Sequence, residues 1–188
     1  MEIILLRHGK PNNPSLNKIK AFSFKSWIES YNYSGLCSTS IPSKTALSIA
    51  NKCNAIVCSE LTRSIESAEA LKIKNITLSH SQFNEAGLPS ANWRGLKLSP
   101  NAWAVIFRIL WLFGYSNNSE SYKESKLRAE NSAKKLIELA KEHKSVLFVG
   151  HGIYNKLLAK QLKSLGWSGP SNPGTKHWSF GVYENKKI

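Results

Sequence analysis

Apolar and polar residues fall into short blocks along the chain. Ile3 to Leu6, Ala55 to Cys58 and Ser145 to Val149 (SVLFV) are runs of four or five residues, almost wholly apolar. Runs of this length read as strands buried on both faces. Between them the period lengthens. Glu60 to Leu71 places Leu61, Ile65, Ala68 and Leu71 at helical spacing, and Ser125 to His143 does the same with Leu127, Ala133, Leu136, Ile137 and Ala140. Thr45–Lys52 and a stretch over 21–34 also read as helical, a short strand is expected at 75–78, and the last strand at Trp178–Tyr183. Strands alternating with helices predict an α/β fold, a three-layer α/β/α sandwich whose mostly parallel central sheet carries helices on both faces.

Residues 82–122 break this rhythm. They mix Gly, Pro, Asn and Trp without a clean strand, as an insert capping a site would. No repeat, low-complexity tract or linker divides the chain, so one domain over 1–188 with a cap insert at about 82–122 is expected. Ala102 to Tyr115 (AWAVIFRILWLFGY) is densely apolar but interrupted by Arg108. It falls short of the roughly 20 residues that a membrane helix needs. A buried cap helix is the expectation; the alternative is an aromatic helix lying in a membrane interface on a basic protein.

Composition narrows the partners. A chain of 188 residues can bury about 70% of its unfolded surface, and six tryptophans with 41% hydrophobic residues exclude a disordered chain. Twenty-six Lys and Arg against 12 acidic residues give a formal charge of +14 and a sequence pI near 9.8. Such a charge favours anionic partners: phosphorylated small molecules, nucleic acid or anionic lipid. Lys18, Lys20, Lys25, Lys134, Lys135, Lys141, Lys186 and Lys187 are dispersed and lack the interleaved aromatic motifs of RNA-binding modules, so no nucleic-acid partner is expected. Cys37, Cys53 and Cys58 show no CxxC spacing and suggest neither a disulfide framework nor zinc. With MEIILLRHG too short for a signal peptide, a cytoplasmic location is expected.

The chemistry gathers where apolar strands run out. Arg7-His8-Gly9 follows the first strand, at the carboxyl edge where open α/β sheets bind ligands, and Gly150-His151-Gly152 follows the strand SVLFV. Between them Ser59 and Arg63 follow AIVC. Ser59 is a candidate helix cap. Arg63 falls in the first turn, where a cation opposes the helix dipole, and this suggests that a ligand holds it there. Two histidines at strand ends of one parallel sheet converge on one crevice.

Arg7-His8-Gly9, Ser59-x-x-x-Arg63 and Gly150-His151-Gly152, in that order, resemble the histidine phosphatase superfamily, the phosphoglycerate-mutase-like or acid-phosphatase-like proteins. The resemblance runs from the first strand to the last. It implies that His8 is the nucleophile, forming a phosphohistidine, and that Arg7, Arg63 and His151 surround the phosphoryl oxygens. Neither a metal nor another cofactor is then needed. The leaving alkoxide requires an acid, and the resemblance puts Glu85 of FNEAGLPSANWRGL in that role, with a longer spacing to Trp93-Arg94-Gly95 than the commoner pattern. Asn13, in Lys10-Pro11-Asn12-Asn13-Pro14, is the candidate replacement for a phosphate-binding asparagine. The family's Leu-Thr-x-x-Gly-x-x-Gln-Ala helix start is absent from IPSKTALSIANK.

The implied activity is hydrolysis of a phosphomonoester, a small organic phosphate, with Trp93, Arg94, Trp103 and Arg108 offering contacts from the cap. A cofactor-independent phosphomutase and a phosphohistidine-protein phosphatase share the same residues. A reading of another class is a non-catalytic module that binds polyanions or membrane. His177 and Trp178 either line the pocket mouth or form a buried edge-strand pair, and the second is expected.

Overall fold

Ile3 to Leu6 are fully buried and form the middle of strand β1 (Glu2–Arg7). The computed structural model describes residues 1–185, so Lys186 and Lys187 lie outside the described residues. The remaining strands of the main sheet are β3 (Ala55–Cys58), β4 (Leu78–Ser79), β6 (Ser145–Gly150) and β7 (Phe180–Glu184), after a two-residue β2 (Ile19–Lys20) that pairs elsewhere. Their order is β4-β3-β6-β1-β7. All neighbours are parallel except β7, which runs antiparallel to β1.

Successive side chains of a strand face opposite ways, and here they feed two separate cores. Ile3, Leu5, Val57 and Phe148 pack on α5 (Tyr122–His143) and α6 (Gly152–Ser164), while Ile4, Leu6, Ile56 and Val149 pack on α2 (Lys44–Ala50) and α3 (Thr62–Ala70). The outcome is the α/β layering that the periodicity predicts. Each large apolar side chain buried this way contributes about 1.5–3 kcal/mol.

Register positions the functional edge. Leu6 pairs with Val149 and Arg7 with Gly150, while Cys58 also pairs with Val149. The chain therefore leaves β1 at Arg7-His8, β3 at Ser59 and β6 at His151 along one edge of the sheet.

Several elements depart from the expected bounds. The stretch over 21–34 is a 3₁₀ turn (Ala21–Ser23) followed by α1 (Phe24–Asn32). α3 starts at Thr62 rather than Glu60, because Leu61 is still extended. α5 starts at Tyr122, where Ser121 and Glu124 form a reciprocal capping box. The strand expected at 75–78 is the two-residue β4, and β7 begins at Phe180 because Trp178 has a positive φ of 65°. α6 was not anticipated at all.

A third cluster packs part of residues 82–122 against an earlier segment of the chain. Ala21 and Phe24 join Ala91, Trp103 and Phe107 in one buried group. β2 pairs antiparallel with β5 (Lys97–Leu98), and α4 (Pro100–Leu112) follows behind Ser99, whose Oγ accepts from the Ala102 N–H. The cap thus joins residues 19–32 to residues 88–115. Among the described residues no helix is long and apolar enough to cross a membrane.

Candidate active site

His8 leaves the sheet one residue past β1 but stays tied to it, because its N–H donates to Gly150 O at 2.9 Å. Its Nδ1 lies 2.6 Å from Gly9 O. A carbonyl only accepts, so Nδ1 carries the proton and Nε2 keeps its lone pair. Gly9 permits this path: a Cβ there would lie 2.3 Å from the Trp178 ring.

His151 caps α6 from the end of β6. Its ring sits 5.0 Å from that of His8, tilted by 60°. Its Nε2 lies 2.7 Å from Ser59 Oγ, which also accepts from the Leu61 N–H, while its buried Nδ1 has no partner. Ser59 therefore does not cap α3, as the sequence suggested; Leu61 occupies the cap position and the hydroxyl orients His151 instead. Burial, then the Arg63 and Arg7 guanidinium groups, hold His8 well below the usual imidazole range. Burial, then His8 and the same arginines, do so for His151. Both rings are neutral at neutral pH.

Backbone carbonyls hold the two cations. Arg63, buried in the first turn of α3, donates to Tyr31 O at 3.1 Å and lies over the Tyr31 ring at 4.5 Å. Arg7 donates to Thr175 O. The Nε atoms of both are buried and unpartnered, and among the described residues neither side chain forms an ion pair. A buried charge without a partner is costly. With His151 Nδ1, these groups make a set of donors that an anion would satisfy.

Above them opens a cavity of about 680 Å³. Arg7, Arg63, Glu85 and Asn13 reach its wall, together with Lys10 and His177. Glu85 is fixed by α6: its carboxylate accepts from the Tyr154 N–H at 2.8 Å, the Ile153 N–H at 3.2 Å and its own neighbour Ala86 at 2.9 Å. A helix amino terminus is a natural seat for a carboxylate. Two arginines hold the loop that carries it. Arg108 donates to Gly87 O and Ala86 O at 2.8 and 2.9 Å, and Arg128 to Gln82 O and Asn84 O at 2.6 and 2.9 Å.

The cap contacts differ from those expected. Trp93 and Arg94 do not line the cavity, and Trp103 is buried behind it. Trp93 stacks on Phe107 at 5.6 Å and is half-exposed. Arg108 lines the cavity but is committed to the two carbonyls. The aromatic wall is supplied by Trp27 and Tyr31 of α1, stacked at 5.3 Å. No local pattern singles them out, because α1 reaches the site through contacts between distant segments, the β2–β5 pairing and the stacking of Phe24 on Phe107. His177 and Trp178 are not an edge-strand pair: the His177 ring stands 5.5 Å from that of His8, and the Trp178 indole donates to Ser40 Oγ at 3.0 Å. Among the described residues no group of three His, Cys, Asp or Glu side chains is arranged to hold a metal ion.

The family described as Histidine phosphatase superfamily (branch 1) matches residues 44–186, which leaves β1 and Arg7-His8-Gly9 before the match. No curated protein is significantly similar in sequence. Among solved structures, a Mycobacterium tuberculosis open-reading-frame product superposes with a TM-score of 0.63 at 16% identity, covering 99% of this chain and 92% of that one. A mycobacterial glucosyl-3-phosphoglycerate phosphatase gives 0.63 at 17% identity, over 96% and 88% of the two chains. The alpha-ribazole phosphatase of Shigella flexneri gives 0.57 at 17% identity, over 86% and 79%. At these identities the likeness is one of fold.

Proposed function

The chain belongs to the histidine phosphatase superfamily, an enzyme family, and from that premise we propose that it hydrolyses small organic phosphomonoesters through a phosphohistidine on His8. The observation that carries this reading is the neutral His8 ring, its Nε2 lone pair free, packed 5.0 Å from His151 beside Arg7 and Arg63, whose buried Nε atoms have no partner.

A phosphoryl group in the cavity would accept from Arg7, Arg63 and His151 Nδ1. Phosphoryl transfer is catalysed mainly by positioning and by stabilising charge on the oxygens, and these donors offer both. His8 Nε2 bonds to phosphorus as the ester P–O bond breaks, and Glu85, entering the step as the neutral carboxylic acid, gives its proton to the departing alkoxide and is left as the carboxylate. Water then attacks phosphorus and gives a proton to Glu85, the P–N bond breaks, and inorganic phosphate leaves with the His8 ring restored. Asn13 and Lys10, on the loop after β1, contribute further contacts to the phosphate. The positive field of these side chains makes a metal unnecessary. The cap walls, from two chain segments, favour a small substrate over a protein bearing phosphohistidine.

The test is hydrolysis of a generic aryl phosphate with chelator, with vanadate, and in His8→Ala. Turnover should resist chelator, respond to vanadate, and fall by on the order of 10⁴ or more in the variant. Turnover indifferent to His8 would remove the nucleophile and the reading with it.

A further inference from the structure

α4 is apolar on two opposite sides. Trp103 and Phe107 face the cap core, and Trp111 packs into the main core on the α5 side of the sheet. Val105, Ile109 and Leu112 form a second stripe, at i, i+4 and i+7, that continues into Phe113 just past the helix. These four are 60%, 50%, 53% and 86% exposed. A helix apolar all round is ordinarily enclosed. The only polar side chains of α4 are Asn101 and Arg108, and Arg108 is spent on carbonyls and on the Trp111 ring, 4.4 Å away. No exposed charge on the helix keeps the second stripe in water.

The lobe around it is basic. Residues 86–119 hold Arg94, Lys97 and Arg108 and no carboxylate, and residues 10–33 hold Lys10, Lys18, Lys20 and Lys25 against Glu29 alone. The β2–β5 ribbon that leads into α4 sets Lys20 across from Lys97. Phe22, Trp93 and Leu96 are exposed on the same lobe.

An occupant of this face must satisfy apolar side chains and cations together. A second copy brings the same cations to the contact and a charge of +14 of its own, which opposes pairing. A bilayer with anionic headgroups meets both demands, the lipid chains taking Phe113 and its neighbours and the headgroups taking the lysines. We propose that the outward face of α4 docks this protein on anionic membrane surfaces, with the helix lying in the interface plane. Asn101, Ala104 and Arg108, on the flank of the same helix, line the catalytic cavity, so docking brings that cavity to headgroup level.

The experiment is flotation with phosphatidylcholine vesicles containing about 30% phosphatidylglycerol, against phosphatidylcholine alone, at about 0.05 and about 0.5 M salt. Recovery should be at least about tenfold higher on anionic vesicles at low salt. It should fall to background in Ile109→Asp/Phe113→Asp, with aryl phosphate turnover unchanged as the control for folding. Lys18→Glu/Lys97→Glu should lose the preference for anionic lipid and keep turnover. Equal recovery on both vesicles, or binding untouched by Ile109→Asp/Phe113→Asp, would overturn the proposal. So would a dimer in sedimentation that this variant dissociates, since that assigns the face to a second copy.

Discussion

Two buried imidazoles and one anchored carboxylate set the behaviour of the site at the scale of single residues. His8 and His151 both titrate well below the usual 6.5, burial being the main cause. Below about pH 6.5 the unfolded chain therefore binds protons that the folded chain refuses, and stability must decline as pH falls through that value. The Tm of the wild type should drop between about pH 7.5 and 5.5 by more than that of His8→Asn; parallel drops would show that His8 is not held neutral by folding. Glu85 makes a different demand. A proton donor matters for a poor leaving group and little for a good one. Glu85→Gln should thus cost about 10²-fold or more on an alkyl phosphate and under about tenfold on a nitrophenyl phosphate. Equal losses on the two substrates would take the acid's role from Glu85.

At the scale of elements, the loop bearing Glu85 is a guyed structure, with Arg108 reaching it from α4 and Arg128 from α5. Arg108→Ala leaves Ala86 O and Gly87 O without their donor and should cost about 2 kcal/mol, a Tm fall of about 4–8 °C for a chain of this size. It should also deepen the dependence on leaving group, with Arg108→Lys recovering part of both; an unaltered Tm and unaltered selectivity would show that α4 does not steady the loop. The elements legible in the sequence were those whose burial is two-sided. β1, β3 and β6 are uninterrupted apolar runs, and the chemistry hangs on their ends, so Arg7, His8, Arg63 and His151 could be found by position. α6 lies outside that reading although Tyr154, Leu157, Leu158 and Leu162 carry a helical period. The β2–β5 ribbon was out of reach for another reason. Two-residue strands carry no period, and what joins Ile19 to Leu98 is a pairing between distant segments. Everything that follows from the ribbon, including the aromatic wall from α1, was hidden with it.

Across the whole molecule the carboxylates are spread unevenly. The cap lobe is nearly free of them, whereas Glu124, Glu130, Glu138 and Glu142 lie on α5, interleaved with its lysines. An approaching anion meets a cavity lined by Arg7, Lys10, Lys25 and Arg63, and electrostatic steering toward a cleft of opposite sign raises encounter rates by about 10-fold or more at low salt. The sheet order has a consequence of another kind. Among the described residues β1 pairs with β6 and β7, the last two strands of the sheet to be made. With the ribosome adding about 5–20 residues per second, Ile3–Leu6 waits on the order of ten seconds for a neighbour. Through that interval a fully apolar strand emerges with both edges bare, an invitation to chaperones and to aggregation alike. Among the strands of this sheet the one that carries the proposed nucleophile is translated first and completed last, so a nascent chain lacks the paired site until β6 and β7 have emerged.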